Sequence, residues 1–70
     1  MNTDDSIFYC IINNHEHYYM GFYKSDTNNG YSIPAVSPNI SDALKLTFEE
    51  EARRIVKALG KLWKVKKVAI

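Results

Sequence analysis

The chain has 70 residues, 46% of them hydrophobic and 24% charged, with a net charge of +1 at neutral pH. A domain this short buries only about 60% of the surface its unfolded form exposes, so it has room for one small core. The apolar content excludes a disordered chain, the single cysteine excludes an internal disulfide framework, and no stretch approaches the roughly 18 apolar residues of a membrane span.

The near-neutral total hides an asymmetry. Residues 1 to 51 hold all eight acids and only Lys24 and Lys45, a net of −6, whereas residues 52 to 70 hold seven basic residues and no acid. Such a split raises the prospect of an anionic partner.

In chain order, residues 1 to 5 read as a disordered polar terminus, followed by a single α+β domain over residues 6 to 70. Asp4 and Asp5 stand where a secretory leader carries positive charge, so a cytoplasmic setting is expected. Residues 6 to 12 (SIFYCII) are β-branched and aromatic and predict a strand. The cluster Asn13, Asn14, His15, Glu16 is a turn, and residues 17 to 23 return as a second strand carrying YYMGFY.

Centring the turn on His15 places Ile12 opposite Tyr18. One face then collects Phe8, Cys10, Ile12, Tyr18, Met20 and Phe22, and the other collects Ile7, Tyr9, Ile11, Tyr19, Gly21 and Tyr23. The first set is richer in nonpolar atoms and is the expected core face. The second carries three tyrosine hydroxyls and is expected to stay open, with a gap at Gly21 that a ring or a partner could enter.

Residues 24 to 30 (KSDTNNG) form a loop. A short edge strand is expected around residues 31 to 33, stopped by Pro34 and Pro38. The alternative is that residues 24 to 40 fold back over the tyrosine face and bury it. Residues 41 to 44 suggest a helical turn capped by Ser41 or Asp42, after which Leu46 points inward.

The main helix is expected to start at Thr47, with Glu50 completing a capping box worth about 1 kcal/mol. Phe48, Ala52, Ile55, Val56 and Leu59 fall on one stripe. Gly60 ends the helix in a left-handed conformation. Glu49, Glu50 and Glu51 followed by Arg53, Arg54, Lys57 and Lys61 match the macrodipole and set up pairs of Glu49 with Arg53 and Glu50 with Arg54. Residues 62 to 70 make a last strand, with Trp63 and Val65 in one phase, Val68 and Ile70 in the other, and a bulge or early end at Lys66 and Lys67. The expected order is β-β-(β)-α-β, a small antiparallel sheet of three to four strands with one helix on one face.

The run from Asp42 to Ala52 has the form D-A-x-x-[apolar]-x-x-E-E-x-A. With an aromatic hairpin before it and a Gly-capped helix and Val/Lys-rich strand after it, the chain resembles small proteins encoded by phages and prophages of Gram-positive bacteria. The resemblance covers residues 6 to 70. Such proteins are mostly of unknown function, and some of similar size bind and inhibit host factors, so the resemblance implies an accessory role and supplies no catalytic residues.

Candidate chemistry is sparse. Cys10, His15 and His17 match no zinc-ligand spacing, and the plain reading is two turn histidines and a buried cysteine. Cys10, His17 and Asp26 make a nucleophile, base and acid only on paper, since Cys10 is expected in the core. No catalytic residue, metal ligand or cofactor is assigned.

Binding is the better reading. A tyrosine face is suited to a protein interface, because tyrosine joins a large apolar body to a polar tip. The expected surface is Tyr9, Tyr19 and Tyr23, with Lys64, Lys66 and Lys67 at its charged margin, engaging a protein partner or a second copy. The alternative is nucleic acid, stacked on the tyrosines with the lysines on phosphates. The near-neutral net charge weighs against it.

Overall fold

The first turn is organised by one side chain. Asn13 Oδ1 accepts the backbone N–H of His15 at 2.9 Å and of His17 at 3.0 Å. Glu16 takes the left-handed conformation, φ 61°, and its N–H reaches Asn13 O. The computed structural model describes residues 7–26 and 30–69, so the expected disordered terminus lies outside the described residues. The turn joins β1 (Ile7–Asn13) to β2 (Tyr18–Asp26), followed by β3 (Tyr31–Ser37), a 3₁₀ turn (Ile40–Asp42), α1 (Glu49–Leu59) and β4 (Trp63–Ala69). The four strands form an antiparallel sheet in the order β3-β2-β1-β4. This is the small α+β class that the sequence implies.

Ile12 lies opposite Tyr18, as the turn requires. Beyond that pair β1 and β2 part, and residues 44 to 46 fill the gap. Leu44 N–H donates to Tyr19 O at 3.0 Å, while Leu46 exchanges two backbone bonds with Tyr9 at 2.8 and 2.9 Å. The inserted segment thus satisfies backbone groups that the parted strands would leave unpaired. Gly21 makes room for it. A Cβ there would lie 3.2 Å from Leu44 Cδ1, and the residue sits at φ 98°, where other residues are strained. The ladder with β3 shifts register between Tyr19 and Tyr23, with a bulge around Gly21. The gap expected at Gly21 is real, and the chain's own Leu44 occupies it.

The two sets of side chains separate as the strand period dictates, but the helix covers the other one. Ile11 and Ala52 are fully buried and cluster with Tyr19, joined by Tyr9, Leu44, Leu46, Ile55, Val56, Trp63 and Val65. The expectation that Phe8, Cys10 and Ile12 lie beneath the helix is therefore corrected. Three contributions decide the choice: β4 adds Trp63 and Val65 to the Ile11 face, the inserted segment adds Leu44 and Leu46, and Tyr19 sits edge-on to Trp63 with ring centroids 6.1 Å apart. The opposite face gains only Ala43 and Val68 around Cys10, Ile12 and Tyr18. More apolar area is removed from water on the tyrosine side, and that sets which face the helix packs on.

Other boundaries move for local reasons. The bridge at Leu46 keeps the backbone extended through Phe48, so α1 begins at Glu49 with Phe48 as N-cap and no side-chain cap. The capping box of Thr47 and Glu50 is not formed, and Phe48 is exposed instead of lining the buried stripe. Gly60 ends the helix at φ 118°, ψ −172°, a glycine-only extended conformation distinct from the left-handed helical one, and its N–H bonds Val56 O at 2.9 Å. β3 runs through Pro34 to Ser37, since an edge strand tolerates a proline whose nitrogen faces the unpaired side. Asp42 caps nothing and accepts the Ser37 hydroxyl at 2.7 Å. β4 pairs with β1 without a break over seven positions, so no bulge forms, and Lys66 and Lys67 simply take opposite faces.

Candidate functional site

The expected surface comes apart in the structure. Tyr19 is only 7% exposed and Tyr9 is half-buried, both in the helix-side core, while Tyr23 is half exposed at its edge, its ring 6.3 Å from that of Tyr19. Burial, with the Tyr23 hydroxyl nearby, pushes the Tyr19 phenol above its ordinary range. Lys64 and Lys66 project from the opposite face, in register with Ile12 and Cys10, and only Lys67 shares the tyrosine side, opposite Tyr9. An open platform of three tyrosines rimmed by three lysines is therefore not present.

The helix-free face has its own construction. Cys10, Ile12, Tyr18 and Ala43 form a buried floor. Lysine stems drape over it while their ammonium groups stay in water. Lys66 Nζ lies 5.6 Å from the Tyr18 ring centroid and donates to its hydroxyl at 3.2 Å, and Lys45 Nζ lies 5.7 Å from the Phe8 ring. Burial raises the Cys10 thiol above its ordinary value, and the Lys45 and Lys66 charges offset this only in part. A buried, protonated thiol is a packing group, not a nucleophile.

The two side-chain constellations considered from the sequence are not brought together among the described residues. Cys10 lies in the middle of β1, His15 in the exposed turn, His17 directly before β2, and Asp26 at the far end of β2. Among the described residues, no three His, Cys, Asp or Glu side chains group as a metal site, and no helix is long and apolar enough to cross a membrane.

The apolar surface that does stand free lies elsewhere. An 11-residue helix is about 16 Å long, whereas the nine residues of β2 span about 30 Å, so α1 cannot cover the sheet. Past the bulge, β2 and β3 run on as a two-stranded ribbon in which Phe22 is 52% exposed, Tyr31 70% and Ile33 39%. Ile33 pairs with Lys24, and strand alternation puts Phe22, Ile33 and Tyr31 on the helix-free face, with Tyr23 and Pro34 on the other. Sequence reasoning assigned Phe22 to the core and ended β3 at Ile33. The signal that could have found the ribbon is the mismatch between one short helix and a strand nine residues long.

Charge is gathered at the other edge. Among the described residues the one ion pair is Arg53 with Glu49 at 2.8 Å, and the carboxylate holds the guanidinium above its ordinary value. Arg54, Lys57, Lys61, Lys64, Lys66 and Lys67 have no acid within salt-bridge distance among those residues. The expected pair of Glu50 with Arg54 is not made. No family model, curated protein or solved structure matches this chain.

Proposed function

We propose that this chain is a non-enzymatic interaction module that binds another protein through the exposed apolar ribbon of β2 and β3. The observation that carries the reading is the joint exposure of Phe22, Tyr23, Tyr31 and Ile33 on one ribbon. A two-stranded ribbon is marginal in water unless packed on something, and clustered exposed aromatics mark protein interfaces. Leu62 and Phe48 are also exposed, but singly, as surface apolar residues often are. Phe22, Tyr23, Tyr31 and Ile33, the large exposed side chains of the ribbon, carry no charge, so its complement is an apolar protein surface. The sequence resemblance to small phage and prophage proteins supports an accessory role of that kind, with a host protein as the partner class.

The nucleic-acid alternative has less support, because the tyrosine platform expected from the sequence is not assembled: Tyr19 is buried and Lys66 lies over the Tyr18 ring. The test is affinity capture from a bacterial lysate, comparing the native chain with Phe22→Ser/Tyr31→Ser. The reading expects a discrete captured protein that the variant loses while its unfolding midpoint stays unchanged. Equal capture by both chains overturns it.

A further inference from the structure

The outer edge of β4 is unpaired among the described residues, and both of its flanks are recessed. On the helix side, Trp63 and Val65 border a recess of about 440 Å³ with Tyr9, Val56 and Arg53, the last paired to Glu49. On the other side, Lys64 and Lys66 border one of about 550 Å³ with Ile12, Asn13 and Asn14, closed at the turn by Glu16.

The backbone of this edge is oriented for pairing. Tyr9 and Asn13 direct their backbone bonds to the β2 side, to Leu46 and His17. Alternation then gives Phe8, Cys10 and Ile12 to β4, where they meet Val68, Lys66 and Lys64. The N–H and C=O groups of Val65, Lys67 and Ala69 therefore point outward, as does the C=O of Trp63, whose N–H donates to Gly60 O at 3.3 Å.

We infer that the β4 edge accepts an extended acidic segment of a partner protein as a fifth antiparallel or parallel strand, with alternating acidic and apolar side chains. Side chains on the helix-free face would meet Lys64 directly, and Lys66 on release of its contact with the Tyr18 hydroxyl, which lies inward across β1; neither lysine has an acid paired to it among the described residues. Side chains on the helix face would meet Trp63 and Val65 at the mouth of the helix-side recess. Main-chain bonds supply affinity, and the alternating flanks supply specificity. The same lysines repel a second copy of this edge, so self-pairing through β4 is disfavoured, as lysine on edge strands commonly achieves. An acidic strand turns that repulsion into attraction. This surface is separate from the ribbon and does not depend on it.

The probe is a fluorescein-labelled peptide of alternating Glu and Val, ten residues long on the order of one strand and its flanks, titrated into the full chain. Binding is expected to weaken about tenfold in roughly 0.3 M salt, as screening shortens the reach of the charges. Lys64→Glu/Lys66→Glu, both at exposed positions, is expected to abolish it with helical circular dichroism intact. N-methylation of alternate peptide amides keeps the charge and blocks strand pairing, and it too is expected to abolish binding. On addition of the unmodified peptide, the amides of Val65, Lys67 and Ala69 gain protection from hydrogen exchange. Undiminished binding of the N-methylated peptide, protection elsewhere than β4, absence of binding, or tighter binding of a poly-dT oligonucleotide to the same lysines each overturns the inference.

Discussion

Truncating Tyr19 to alanine separates a core tyrosine from a surface one more sharply than any other single change. Tyr19 is 7% exposed, lies edge-on to Trp63 at 6.1 Å, and packs with Ile11 and Ala52 under the helix. Large-to-small truncation of a buried aromatic costs about 3–5 kcal/mol, which includes the lost transfer energy and the cavity left behind. The edge-to-face pair accounts for about 0.5–1.5 kcal/mol of interaction beyond area. A domain of this size has a total stability of roughly 4–10 kcal/mol at the usual value per residue, so Tyr19→Ala removes at least about 30% of it. Tyr23 on the same strand is half exposed, and Tyr23→Ala is expected to cost about 1 kcal/mol or less, in line with other exposed sites. Urea unfolding followed by Trp63 fluorescence, with the slope held in common, measures both. Equal costs for the two variants would refute the assignment of the tyrosine face to the core.

Gly21→Ala is expected to destabilise by about 1–3 kcal/mol, through a strained φ of 98° and contact with Leu44, and thermal unfolding reads it directly. Leu46→Pro removes the N–H that bonds Tyr9 O at 2.9 Å and should lower the melting temperature by at least several degrees. Cys10 is fully buried, so dithionitrobenzoate should react with it only in denaturant, and rapid labelling of the native chain would contradict that burial. Burial raises both the Cys10 thiol and the Tyr19 phenol, so the folded state holds these protons longer than the unfolded one. Their contribution to stability is complete at neutral pH and falls as pH rises above about 9, visible as a declining urea midpoint.

Much of the fold can be read from local signals. The Asn-rich turn fixes Ile12 opposite Tyr18, the period of two sorts the side chains into two faces, and the stripe of Ala52, Ile55, Val56 and Leu59 with Gly60 after it defines the helix. Hydropathy cannot choose between two apolar faces, however. That choice depends on Trp63 and Val65 arriving through β4, and on Leu44 and Leu46 arriving between β1 and β2, all long-range events. The same insertion explains why Thr47 caps nothing: the bridge from Leu46 to Tyr9 holds the chain extended where the sequence pattern would begin a helix. For the candidate surface, Tyr23 and the lysine-rich strand are legible in the sequence. Tyr9 and Tyr19 are not separable from Tyr23 without knowing where the helix lies, and Phe22 is misread because the bulge at Gly21 carries it past the end of the core.

The most direct measurement on the proposed role is site-specific photo-crosslinking in bacterial cells expressing the chain, with the photoreactive residue at position 22 or at position 62. Phe22 and Leu62 are similarly exposed, 52% and 62%, but only Phe22 belongs to the ribbon. The account expects one discrete adduct with another protein from position 22, lost on Tyr31→Ser, and none from position 62. No adduct from position 22, the same adducts from both positions, or an adduct with a second copy of the chain would contradict it.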